Sequence, residues 1–282
     1  MRLSVLLLLA VLALTGCQPE GSDNTLPSGY AYTMHTDVAG EAMSANTVAY
    51  IYYKIRLDDS LLMSSYDDPV PYPVRIPDTA TLTRELQFLE EALMVMSPGD
   101  SLTINVPIDS VPNPPPGSED ARFMYYDIKV ASAKTESELQ QSADEVAAML
   151  QETLDKYKAG TLEGLQELDS GLKYVIHEPG NGVKADTSDI IFANYYGVTV
   201  EDGQMFDNSF VKGQPFPFPL MRGQVIKGWD LGFAQLSEGA RATFFIPADL
   251  GYGATGSPPR IPPNAELAFY VEMEAMMENP GM

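Results

Sequence analysis

Residues equipped for covalent or metal chemistry are few in this chain, and they are scattered. There is one cysteine, Cys17, and there are two histidines, His35 and His177, far apart with no Cys or His cluster beside either. No zinc set and no nucleophile–histidine–carboxylate triad is expected from that distribution, and no cofactor is implied. Aromatic side chains are concentrated instead, with a carboxylate and a phenol among them. Phe206-Asp207-Asn208-Ser209 precedes Phe216-Pro217-Phe218-Pro219, and residues 224–270 then supply Trp229, Tyr252 and Phe269. On residue types alone two readings stay open. The set is either an aromatic binding pocket with polar groups beside it, or plain core with Asp207 and Tyr252 as turn residues.

The elements that must position these residues follow from periodicity. Val225, Ile226, Trp229 and Phe233 recur three or four apart, which predicts a short helix over 224–231 with one face on a sheet. Gly239 ends the pattern, 240–247 is extended in composition, and GYGATGSPPRIPP at 251–263 forces irregular backbone. Residues 172–177, 190–196, 243–246 and 267–273 read as strands. The class expected is α+β, one twisted antiparallel sheet wrapping a short helix.

FDNS at 206–209, PFPFPL at 215–220, VIKGWDLG at 225–232, GYGATG at 251–256 and IPPNAELAF at 261–269 stand in one order and spacing. In that combination residues 171–276 resemble an FKBP-type peptidyl-prolyl cis-trans isomerase. The resemblance implies the same fold and a substrate of proline-containing unfolded or extended polypeptide. It implies Asp207, Tyr252 and the Ile226 N–H as catalytic groups. Tyr195, Phe206, Phe216, Val225, Trp229, Ile261 and Phe269 would line the substrate pocket, with Trp229 as its floor. Arg260 departs from the family, since many members have an apolar residue there, and Ser257-Pro258-Pro259 stiffens the adjoining loop. Both bear on which residue is accepted before proline. The rival class is a binding protein, a holdase chaperone or scaffold that grips extended segments without catalysis.

The first half repeats the second in degenerate form. YIYYKIRLDD parallels ANYYGVTVEDG, PVPYPVRI parallels QPFPFPL, and ALMVMSPGDSLTINVPID parallels GFAQLSEGARATFFIPAD. In this alignment Met63-Ser64 stands for Phe206-Asp207, Leu89 for Trp229 and Glu85-Leu86 for Val225-Ile226. Tyr52, Tyr72 and Tyr126 are left to keep an apolar interior. The expected organisation is therefore a non-catalytic FKBP-like domain at 30–133, a helical connector at 134–170 and the isomerase domain at 171–282. Within the connector, 135–158 has no Gly or Pro, and Leu139, Ala143, Val146, Leu150, Leu154 and Tyr157 form one apolar stripe. The stripe either packs on its own chain or forms a homodimer seam.

Net charge is −22 and the isoelectric point is near 4.2, which argues against nucleic acid as a partner and against electrostatic adsorption to anionic lipid. Residues 1–17 hold Arg2, an apolar run, and Leu14-Thr15-Gly16-Cys17. The run has the length of a signal-peptide core and falls short of a membrane span. Leu-Thr-Gly-Cys after such a run resembles a bacterial lipobox, implying cleavage before Cys17, lipidation of Cys17 and a membrane anchor. With Gln18 next, the implied site is the cell envelope at the outer membrane. Residues 18–29, polar with Gly, Pro and Ser, read as a flexible tether.

Overall fold

The computed structural model describes residues 24–78 and 87–278, and its strands fall into two antiparallel sheets of seven. The first is built from β1 (Asn24–Thr25), β2 (Ala31–Thr36), β3 (Thr47–Leu57), β4 (Ser60–Ser64), β5 (Tyr72–Arg75), β6 (Ser101–Pro107) and β7 (Phe123–Thr135), with helix α1 (Gln87–Leu93) between β5 and β6. After α2 (Glu136–Lys158) the second uses β8 (Gln166–Glu167), β9 (Lys173–Pro179), β10 (Ile190–Thr199), β11 (Met205–Asn208), β12 (Phe216–Pro219), β13 (Ala240–Ile246) and β14 (Leu267–Met277). Helix α3 (Lys227–Phe233) lies between β12 and β13.

The strand order is β1-β2-β6-β7-β3-β4 in one sheet and β8-β9-β13-β14-β10-β11 in the other, with β5 on β3 and β12 on β10. These are one topology written twice. The chain is α+β, with two FKBP-like units joined by a long helix. The two histidines mark the duplication at atomic level. His35 on β2 bonds Thr103 Oγ1 on β6 at 2.7 Å, and His177 on β9 bonds Thr243 Oγ1 on β13 at 2.8 Å.

Register corrects the sequence alignment of the two copies by one residue. Ile55 pairs with Met63 as Gly197 pairs with Asp207, so Leu62-Met63 stands for Phe206-Asp207. The same register is fixed independently by a serine in each copy. The amides of Tyr53 and Tyr195 donate to Ser65 Oγ and Ser209 Oγ, both at 2.9 Å. Tyr53, and not Tyr52, is therefore the partner of Tyr195. Leu89 does match Trp229, each the third residue of its helix, whereas Glu85 and Leu86 lie outside the described residues.

Helix α2 begins with a capping box in which Thr135 Oγ1 accepts from the Glu138 amide and the Glu138 carboxylate accepts from the Thr135 amide. Its stripe is covered by its own chain. Val146, Leu150 and Leu154 pack with Val198, Val200, Phe245, Ala268 and Tyr270 on the outer face of the second sheet. Tyr157 stacks on Phe245 at 3.8 Å, and its hydroxyl donates to Glu266 at 2.8 Å. The face that could have made a homodimer seam is thus spent on intrachain packing.

The tether is shorter than the sequence suggests. Asn24 and Thr25 pair with Tyr32 and Ala31, and Leu26 is buried in the first core, so polar composition hides an edge strand and an anchor. The expected signal segment and Cys17 lie outside the described residues. Among those described, no helix is long and apolar enough to cross a membrane.

Candidate active site

The second sheet curls around α3, and the core between them is aromatic. Trp229 is 5% exposed and meets Tyr195 at 5.1 Å, Phe269 at 5.3 Å and Phe216 at 6.2 Å between ring centroids, all edge to face. Phe233 and Phe218 close on it at 5.3 and 5.5 Å. The indole Nε1 is buried and has no hydrogen-bond partner among the described residues, so packing alone holds the ring. Above it opens a cavity of about 450 Å³ lined by Tyr195, Phe206, Asp207, Phe216, Gln224, Val225, Ile226, Trp229, Tyr252 and Phe269.

Nine of the ten site residues expected from sequence are therefore brought together. Ile261 is placed differently: it is 4% exposed, within the core, and its backbone pairs with Ser257 to brace the loop. Gln224 lines the cavity without any motif having marked it. Val225 and Ile226 were expected on a helix beginning at 224, but α3 starts three residues later, at Lys227. Ile226 is extended (φ −61°, ψ 146°) and caps the helix, with its carbonyl accepting from the Trp229 amide at 2.9 Å. Its own N–H meets no acceptor among the described residues, as befits the orphan donors of a helix start.

Asp207 reaches the cavity from β11 and is tied on both oxygens. Tyr195 Oη donates to one at 2.5 Å and Lys212 Nζ to the other at 2.7 Å. Burial alone would raise the Asp207 pKa, but the Lys212 and Tyr195 donors outweigh it and hold the carboxyl below its ordinary range. Burial and this carboxylate in turn push the Tyr195 phenol well up. Lys212 ends the 3-10 turn Phe210–Lys212, which Gly213 closes in the left-handed region at φ 71°. Sequence motifs gave no signal for it, since a lone lysine on a turn reads as solvated surface.

Three further residues hold the rim. Asp230, 7% exposed, accepts from the amides of Met221 at 2.7 Å and Gly223 at 3.3 Å, fixing the turn that delivers Ile226. Arg260 Nη1 donates to the Phe206 carbonyl at 2.8 Å, clamping the Gly/Pro-rich loop onto β11. Tyr252, on that loop, is 40% exposed, and its hydroxyl has no partner among the described residues. Partial burial, and secondarily Asp207, raise its pKa, so it carries its proton at neutral pH.

In the first sheet the corresponding cavity shrinks to about 180 Å³, lined by Ile51, Tyr53, Ile55, Tyr72, Val74, Phe88, Leu89, Tyr126 and Ile128. Tyr53, Tyr72, Leu89 and Tyr126 stand in register or in helix position for Tyr195, Phe216, Trp229 and Phe269. Met63 replaces the carboxylate.

A sheet wrapped around a helix over an open aromatic cavity, with donors and one fixed carboxylate beside it, defines an apolar pocket within a hydrogen-bonding frame. The family model of FKBP-type peptidyl-prolyl cis-trans isomerases matches residues 182–274, within the second sheet. Human peptidyl-prolyl cis-trans isomerase FKBP2 is 45% identical over 112 residues, which are 39% of this chain and 76% of that protein. The FKBP-type isomerase FkpA of Aeromonas hydrophila is 39% identical over 136 residues, 48% of this chain and 49% of that one. Among solved structures, FkpA from Escherichia coli aligns at 34% identity with a TM-score of 0.41, covering 51% of this chain and 67% of that one. The chain belongs to the FKBP-type peptidyl-prolyl cis-trans isomerases.

Proposed function

We propose that the second domain, 171–282, isomerises X-Pro bonds in exported polypeptides and so assists their folding. The observation that carries this is the cavity over Trp229, where two unpaired donors, at Ile226 and Tyr252, share an apolar lining. An X-Pro bond turns over in tens to hundreds of seconds because rotation breaks amide resonance against about 18–20 kcal/mol. Bringing that to milliseconds needs about 10⁴-fold, or roughly 5 kcal/mol of stabilisation selective for the twisted amide. The planar amide has more charge separation than the twisted one, so transfer into an aromatic pocket penalises the ground state more.

In this reading Phe206, Phe216, Val225, Trp229 and Phe269 grip the prolyl ring, with Ile261 behind them. The Ile226 N–H and Tyr252 hydroxyl donate to substrate carbonyls. Asp207 polarises the pocket and fixes Tyr195. No group is transferred and no cofactor enters. The first domain, 30–133, is non-catalytic because Met63 stands where the carboxylate is. Lipid on Cys17 holds the protein at the cell envelope, on the outer membrane.

The test is the isomerisation rate of short X-Pro peptides, with X varied, for wild type, Asp207→Ala and Tyr252→Phe. Acceleration by wild type that both variants weaken supports the assignment. A folded wild-type protein with no effect at any X would leave a holdase as the function.

A further inference from the structure

The cavity over Trp229 is one of three in series. Tyr195 and Phe216 wall it on one side and also wall a second cavity of about 440 Å³. The far wall of that second cavity is the first domain, through Asp68, Val70, Pro71, Tyr72 and Pro73. Tyr72 then lines the smaller cavity of the first domain as well. Tyr72 and Phe216 hold equivalent places in the two sheets, paired with Ile51 and Ala193 respectively. They are 57% and 43% exposed, large apolar rings left open to solvent on a shared groove.

The domains are held in this relation by direct contacts. Arg75 Nη2 donates to the Val211 carbonyl at 3.3 Å. Gly213 lies so close to the first domain that a Cβ there would meet Val48 Cγ2 at 3.2 Å and Tyr50 Oη at 3.3 Å, with Leu139 Cδ1 of α2 also at 3.2 Å. Two charged residues line the groove, Lys212, already committed to Asp207, and Asp68; the rest of the lining is mostly apolar.

We propose that this interdomain groove binds the polypeptide flanking the X-Pro bond seated over Trp229, so that apolar residues beyond the bond rest against Val70, Pro71 and Tyr72. The proposal rests on the pocket being the isomerase site. Its occupant follows from continuity: a chain leaving the pocket past Tyr195 and Phe216 extends about 3.3–3.6 Å per residue and enters the groove at once. The mode of recognition follows from proline. Pro71 and Pro73 on one wall, and Pro215 and Pro217 on the other, have no N–H to offer, so a client strand cannot zip onto β5 or β12 as an added strand. Contact is then through side chains, tolerant of sequence and easily released, as a folding assistant that serves many chains requires.

The experiment compares two peptides sharing one X-Pro core, one short and one extended on either side by several apolar residues, on the full chain. Wild type should show a higher kcat/KM for the extended peptide through a lower KM. Val70→Ser with Tyr72→Ala should raise that KM about five- to tenfold while leaving the short peptide within about twofold. Equal KM values for the two peptides in wild type, or an advantage that survives the substitutions, would overturn the proposal. Anisotropy of the labelled extended peptide keeps the two claims apart. Tyr72-dependent binding without acceleration of either peptide would remove the isomerase assignment of the pocket and leave the groove standing.

Discussion

The phenol of Tyr195 donates to the carboxylate of Asp207 at 2.5 Å, linking β10 to the carboxylate that β11 presents beside the cavity. Lys212 completes the cluster from a turn five residues further on, and all three side chains border the groove or the pocket. Asp207→Ala is expected to lower kcat/KM on short X-Pro peptides by about 10- to 100-fold, or roughly 1.4–2.8 kcal/mol. Tyr195→Phe should cost less, and the double variant should fall short of the sum, because each residue acts through the other. Stability should move little, since the Asp207–Lys212 pair is about half exposed and screened. The Asp207 pKa is depressed in the fold, so its contribution is fully present above the ordinary carboxylate value and is lost as pH falls through the lowered one. Activity should therefore stay flat in its acid limb down to about pH 5. A kinetic limb near neutrality that Asp207→Asn abolishes would refute this account of the carboxylate.

Much of the pocket was legible because its residues come in rigid local motifs. Trp229 and Phe233 on one short helix announce themselves by spacing, and Phe206-Asp207 by the FDNS motif of the family resemblance. What stayed hidden depends on pairing between distant segments. Lys212 reaches Asp207 from a 3-10 turn that Gly213 closes, and Asp230 acts on Met221 and Gly223 through a loop whose shape no periodicity encodes. The one-residue error between the copies has the same origin. A strand alternates sides at every residue, so shifting Met63 by one changes its face, and the register is fixed by the pairing of β3 with β4 and by the Tyr53–Ser65 bond, neither of which periodicity encodes. Leu26 was masked for a different reason: one apolar anchor among polar neighbours does not lift the average of a tether.

Gly197 is the place where the pocket walls leave no room. A Cβ there would stand 2.7 Å from Phe206 Cε2 and from Phe269 Cε1. Gly197→Ala should therefore push both rings off their positions, costing about 1–3 kcal/mol of stability and a larger share of activity. The first domain carries Ile55 at the equivalent place, and its cavity is the smaller one. Urea unfolding and peptide isomerisation of the alanine variant would check both expectations. Wild-type activity in that variant would mean that the ring positions are not what the pocket depends on.

His177 gives the second domain a pH-dependent stability. Its ring is lodged against Tyr270 and bonded to Thr243 Oγ1, and burial lowers its pKa below 6.5, with Glu178 offsetting part of the effect. The unfolded chain then binds the proton more readily than the folded one. Stability is complete above the ordinary histidine value and falls as pH drops from there towards the lowered one. Urea midpoints between about pH 7.5 and about pH 5 should decline in wild type and decline less in His177→Gln. Parallel slopes in the two proteins would place the acid sensitivity elsewhere.

Trp229 is the chain's only tryptophan, and it forms the floor of the cavity, so its fluorescence is a site-specific reporter. At 5% exposure its emission should be that of a buried indole before any ligand is added. A short X-Pro peptide seated against Tyr195, Phe216 and Trp229 should change that emission saturably, with the same Kd that calorimetry returns. Asp207→Ala should weaken the binding and keep the amplitude, because the ring's own packing is untouched. An extended peptide should give the same amplitude at lower concentration, since the groove adds contacts at Tyr72 and none at the indole. Calorimetric binding of the short peptide with silent fluorescence would place it in the interdomain groove instead, away from the floor on which the isomerase reading depends.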